Sequence, residues 1–152
     1  MTASAHVSTG PALYDDSRAV LRLVAAFENR TLPKAEWTHR AHLTMGFWYA
    51  WHLAPDSALD TVRKGILRLN ESHGVVSTPT SGYHETITRA YMRLIGAHIA
   101  EDSGVGEWHD RANRLLERLG TRDLLLAYYT RDRLMSPVAR AAWVEPDLRE
   151  LP

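Results

Sequence analysis

Cysteine is absent from the 152-residue chain. Its absence excludes disulfide bonds, thiolate catalysis and the sulfur ligands that many structural zinc sites use. Any metal site must therefore be built from histidine, aspartate or glutamate side chains.

An excess of charge of one sign is also lacking, because 18 Lys and Arg residues balance 18 Asp and Glu residues. Proteins that bind nucleic acid usually carry a basic excess that neutralises phosphate, so we expect no nucleic-acid partner. No apolar run is long enough to span a bilayer, and residues 1–16 lack the basic segment and apolar block of a secretory signal. We therefore expect no membrane association and a cytoplasmic location.

Signals of β-structure and of common catalytic motifs are missing as well. No segment sustains the period-two alternation of a strand, and hairpin dipeptides such as Asn-Gly do not occur. The motifs of P-loop nucleotide binding, dinucleotide binding, G-x-S-x-G hydrolases and H-E-x-x-H zinc proteases are absent too. Function must therefore be sought in side chains that the fold brings together.

Helical periodicity, by contrast, runs through most of the chain. The apolar residues of the first predicted helix recur at the spacing of one helical face, and Thr38 is a candidate N-cap for the second. The length suits one compact domain. We predict an all-α, single-domain bundle of five to seven helices over residues 15–152. A Pro-containing C-terminal tail would end it, and a flexible tail over residues 1–14 would precede it.

Three of the eight histidines occur in two short stretches, WTHRAH at 37–42 and GYHET at 82–86. His39 and His42 are three residues apart, so their rings project from the same face of the second predicted helix. Gly46, one turn further on, is expected to leave a notch for a partner helix or a substrate. His84 lies on the fourth predicted helix, which we expect over residues 83–100.

These histidines suggest a metal site. Three neutral imidazoles, from His39, His42 and His84, would hold one metal ion and leave a coordination position open, as in catalytic sites. Zinc, iron and copper all accept imidazole ligands. The sequence therefore predicts a small metal-dependent enzyme that acts on a small organic molecule. Hydrolytic or lyase chemistry with zinc and oxidation with iron or copper both stay open.

Four further side chains are candidates for catalytic roles beside the metal. Thr88 and Tyr91 share a polar stripe with His84 on the fourth predicted helix, and buried polar groups need partners. Tyr83 and Glu85 flank His84 and are candidates for proton transfer or for orienting a ligand. Glu85 is also expected to pair with Arg89, four residues along the helix.

Two functions without a metal remain open. Histidines on inner helix faces often bind carbonyl or hydroxyl groups, and the aromatic stretch FWYAW at 47–51 would then wall a pocket. The chain would in that case be a non-catalytic small-molecule-binding helical module. The third alternative is a helical protein-interaction subunit whose aromatic surface packs on a partner.

Overall fold

The computed structural model describes residues 12–152, and in that range the chain forms seven α-helices and no β-strand. The helices are α1 (Ser17–Glu28), α2 (His39–His52), α3 (Pro55–Ser72), α4 (Glu85–Glu101), α5 (Trp108–Leu119), α6 (Arg131–Leu134) and α7 (Pro137–Ala141). Two 3₁₀ turns, Lys34–Glu36 and Leu124–Ala127, lie in the connections. The predicted all-α bundle is confirmed. No helix in the described part of the chain is both long enough and apolar enough to cross a bilayer.

The first two helices begin at side chains that cap them. The Asp16 carboxylate accepts hydrogen bonds from two backbone N–H groups of α1, and the Thr38 hydroxyl accepts one from the Ala41 backbone in α2. Of the predicted N-terminal tail, residues 1–11 lie outside the described range. Tyr14 belongs to the core, because its side chain is buried and its hydroxyl hydrogen-bonds Thr44 at 2.9 Å.

Helix α2 is central, since it packs against α1, α3, α4 and α5. At Gly46, α2 and α4 pack tightly: a Cβ there would lie 2.8 Å from the Ile95 side chain and 3.1 Å from the Met92 sulfur. The notch predicted at Gly46 is thus filled by α4. This close approach aligns the first turns of α2 and the middle of α4 along one cleft.

The C-terminal segment is fixed to the start of α4 by buried polar groups. The Thr86 hydroxyl donates to the Ala142 carbonyl at 2.9 Å and accepts from the Val144 N–H at 3.1 Å. The Tyr129 hydroxyl donates to the Val144 carbonyl at 2.8 Å. Because these groups are satisfied inside the fold, they fix residues 142–144 to the start of α4 and to Tyr129.

Candidate functional site

A cavity of about 500 Å³ opens between α2, α3, α4 and residues 122–135. Its volume falls within the range of about 300–1,000 Å³ that is usual for small-molecule sites. Apolar side chains form most of its walls, among them Leu43, Val62, Ile66, Ile87, Ile95 and Leu125. Among these, Leu43, Ile95 and Leu125 are almost fully buried.

Four of the seven predicted site residues line this cavity: His39, His42, Thr88 and Tyr91. The Thr88 hydroxyl donates to the His84 carbonyl one turn earlier in α4, at 2.9 Å, so its proton is already engaged. The other three predicted residues, Tyr83, His84 and Glu85, are not among the residues that line the cavity.

His42 presents a hydrogen-bond acceptor to the cavity. Its Nδ1–H donates to the Thr38 carbonyl at 2.8 Å, and its ring stacks on Trp37 with centroids 3.7 Å apart. This bond assigns the proton to Nδ1 and leaves a lone pair on Nε2 of the neutral ring.

The imidazole of His42 is held in its neutral form. Crowding by protein atoms disfavours the charged ring and lowers the pKa of His42 to about 4, against a smaller opposing effect of the Thr38 hydrogen bond. The side chain is nevertheless exposed to solvent in the cavity, which limits this depression. The ring is neutral at pH 7 in either case.

The rings of His39 and Tyr91 pack edge to face in the cavity wall, and their centroids are 5.5 Å apart. The Nε2 atom of His39 is buried and has no hydrogen-bond partner among residues 12–152. Burial and the nearby Arg122 charge lower the pKa of His39, and burial with the Asp123 charge raises the pKa of Tyr91 to about 12. Both side chains are therefore uncharged at neutral pH.

His84 has a structural role. It is the N-cap of α4: its Nδ1 accepts from the Ile87 N–H at 3.1 Å, and its Nε2–H donates to the Leu134 carbonyl at 2.7 Å. Burial lowers the pKa of His84, which keeps the ring neutral in this arrangement. Both ring nitrogens are occupied, so His84 has no lone pair left for a metal ion.

The three-histidine site expected from the sequence is not assembled. Among residues 12–152, the ligand atoms of His39, His42 and His84 do not come within 4.8 Å of one another as a group. The reason lies in the start of α4, which begins at Glu85 and not at Tyr83. His84 is thereby the cap of the helix, and its ring turns toward the C-terminal segment.

Tyr83 and Glu85 belong to a network that ties α4 to α3. The Glu85 carboxylate accepts two hydrogen bonds from the Arg63 guanidinium and one from the Tyr83 hydroxyl at 2.6 Å. Burial alone would raise the pKa of Glu85, but these bonds outweigh it and hold the pKa below its ordinary value. The expected pair with Arg89 is not formed, since the Arg89 guanidinium lies over the Trp143 ring.

The aromatic stretch at 47–51 does not line the cavity. Phe47, Trp48 and Trp51 pack with Trp108 on the side of α2 that faces α5. The aromatic residues in the cavity wall are instead Trp37 and Tyr91, together with the two imidazoles.

A His/Glu/Asp group that could hold a metal ion does occur, at the start of α5. Its members are Glu107, His109 and Asp110, whose ligand atoms lie within 4.8 Å of one another. The two carboxylates already form the capping box of α5, and the His109 Nδ1 lies 2.9 Å from the Ser17 hydroxyl. Helix capping and contact with α1 account for this group.

Sequence reasoning missed the charged residues of the cavity, Arg122, Asp123 and Arg131. They lie in the segment after α5, whose position against α2 depends on contacts distant in sequence. One signal was present: the tripeptide TRD occurs twice, at 121–123 and 130–132, and the arginine of each copy lines the cavity.

Comparison with known protein families, with curated proteins and with solved structures found no match for this chain. The function must therefore be argued from the chemistry of the cavity walls.

Proposed function

We propose that this protein binds a small, largely apolar organic molecule in the cavity between α2 and α4. The observation that carries the proposal is the cavity of about 500 Å³ itself, whose largely apolar walls include the imidazoles of His39 and His42. A cavity of this volume, with mostly apolar walls and a few polar groups, is the usual form of a small-molecule site.

The remaining walls support a ligand with one hydrogen-bonding end. The Nε2 lone pair of neutral His42 accepts a hydrogen bond from a hydroxyl or amide group, and the Tyr91 side chain adds a second polar group nearby. The other walls are aliphatic and favour an apolar body through burial of its surface. A few polar groups in an apolar cavity give orientation and specificity, as is usual in such sites.

Metal-dependent catalysis stays a prediction, with His39 and His42 as its remaining ligands. His42 suits that role in one respect, because metal-ligating histidines usually donate their second ring N–H to a carbonyl or carboxylate. Within the described residues, however, no third histidine or carboxylate joins the pair at ligating distance. Binding without a metal therefore accounts for the cavity without requiring a third ligand.

The test is a binding titration with neutral two-ring aromatic alcohols, such as naphthols, in the presence and absence of a chelator. We expect the chelator to leave the binding unchanged. We expect His42→Phe to weaken the binding about tenfold, because phenylalanine keeps the stacked ring and removes the hydrogen-bond acceptor. Isothermal titration calorimetry measures the dissociation constants, and elemental analysis of untagged protein reports any bound metal.

His52→Phe is the matched control. His52 also bonds the carbonyl four residues earlier through Nδ1 and packs on a tryptophan, Trp48, but it lies outside the cavity. The proposal fails if no small molecule binds, or if both variants bind as the native protein does. Binding that is lost with the chelator would favour the metal-dependent alternative.

A further inference from the structure

Two arginine side chains at the cavity lack partners within the described part of the chain. Arg122 and Arg131 are exposed and line the cavity, and neither guanidinium group makes a hydrogen bond, an ion pair or a cation–π contact with any residue in the range 12–152. Elsewhere, Arg63, Arg114 and Arg118 each bind a carboxylate. The two cavity guanidinium groups are therefore available to a bound molecule.

The charges at this opening leave a net surplus of one positive charge. The two guanidinium groups are offset only by Asp123, the other charged residue of the cavity, while His39 and His42 are neutral at pH 7. The Arg122 charge lowers the pKa of His39, and the Asp123 charge raises that of Tyr91. Arg122 and Asp123 therefore lie near the polar side chains of the cavity. A ligand with one negative charge would neutralise the surplus.

We infer that the ligand is an organic monoanion, a carboxylic acid with an apolar body. This inference rests on the proposed function, because it names the chemical class of the molecule that the cavity binds. The carboxylate lies at the opening against Arg122 and Arg131, whose planar guanidinium groups match its two oxygens. The body extends past His39 and His42 along the buried aliphatic wall at Ile95 and Leu125. A phosphate ester fits less well, since its second negative charge exceeds the surplus.

The experiment compares 6-hydroxy-2-naphthoate with 6-hydroxy-2-naphthamide by calorimetry on the full chain. The two probes share the apolar body and the hydroxyl group and differ in the anionic group. We expect the acid to bind at least about tenfold more tightly than the amide, because hydrogen bonds to charged groups are roughly twice as strong as neutral ones. The advantage of the acid should shrink as the salt concentration rises.

The double variant Arg122→Gln with Arg131→Gln tests the assigned residues. Both side chains are exposed, so the fold should be retained, and circular dichroism checks this. The variant should remove the tenfold advantage of the acid over the amide. Arg22→Gln is the control, since Arg22 is an exposed arginine of α1 that does not line the cavity.

Four outcomes overturn the inference. Equal affinity of the acid and the amide would show that the anionic group does not contribute to binding. So would an acid that binds the double variant as tightly as the native protein. The proposed function would stand in both cases. Tighter binding of 2-naphthyl phosphate than of the acid, lost in the same double variant, assigns the site to phosphate esters. If neither the acid, the amide nor any neutral naphthol binds, the inference and the proposed function fail together.

Discussion

His84 is a candidate metal ligand by residue type, but its position makes it the N-cap of α4. Its ring satisfies the Ile87 N–H in the first turn of α4 and the Leu134 carbonyl from the C-terminal segment. An imidazole is an uncommon N-cap, and sequence rules favour Ser, Thr, Asp and Asn in that position. The sequence therefore pointed to His84 as a residue of interest but not to its role.

We expect His84→Ala to lower the free energy of unfolding by about 2–3 kcal/mol, because it removes the cap and leaves a buried carbonyl without its donor. His84→Asn should recover about 1 kcal/mol of that loss, since asparagine caps helices well. Urea unfolding followed by circular dichroism measures both. A His84→Ala variant as stable as the native protein would contradict the structural role.

His98 is a second buried histidine of α4, and neither of its ring nitrogens has a hydrogen-bond partner in the described part of the chain. We expect His98→Leu to raise the free energy of unfolding by about 1 kcal/mol at pH 7, because it replaces two unpaired polar atoms by apolar ones. Thermal and urea unfolding of the two proteins side by side check this value.

The gain from His98→Leu should grow as the pH falls. Burial lowers the pKa of His98, an effect that the Asp102 charge only partly opposes. Below the unfolded pKa of about 6.5, the unfolded chain binds a proton that the folded chain does not, so the native protein loses stability until the pH reaches the folded pKa. Unfolding at pH 7 and pH 5 tests this, and a gain that is smaller at pH 5 would contradict the sign.

At the scale of the helices, most of the fold follows from local rules, and the site does not. The buried face of α1 and the caps at Asp16 and Thr38 match the sequence pattern, because periodicity and capping act over a few residues. The predicted ion pair between Glu85 and Arg89 was wrong, since the Glu85 carboxylate binds Arg63 in α3 and not Arg89 in its own helix. Such contacts depend on how helices pack, which neither spacing nor composition specifies.

Gly65 and Gly96 both lie inside helices but differ in their surroundings, so alanine substitutions at the two positions distinguish the effect of packing from that of helix propensity. A Cβ at Gly65 in α3 would lie 2.4 Å from the buried Phe27 ring, whereas a Cβ at Gly96 in α4 would meet no side chain or neighbouring helix of the described residues within 4 Å. We expect Gly96→Ala to stabilise the protein by about 0.5–1 kcal/mol through helix propensity. Gly65→Ala should destabilise it by about 1–2 kcal/mol, because the clash exceeds that gain. Equal effects of the two substitutions in urea unfolding would rule out the packing of α3 on α1.

At the scale of the whole molecule, the cavity depends on parts of the chain that are distant in sequence. His39 and His42 come from α2, Tyr91 from α4, and the two arginines from the segment after α5. The sequence predicted both histidines and Tyr91 as site residues, because their types and spacing suggested chemistry. It did not predict Arg122 or Arg131, since only the packing of residues 122–135 across the cleft brings them there.

The central claim is that a small molecule binds beside the imidazoles of His39 and His42. The most direct test is ¹⁵N NMR of the histidine rings during titration with 6-hydroxy-2-naphthamide, with single-residue substitutions for assignment. The account predicts that the ring nitrogens of His39 and His42 shift while those of His84 and His98 stay unchanged. Saturable binding of the probe with no shift at His39 and His42, or with the largest shift at His84, would contradict it.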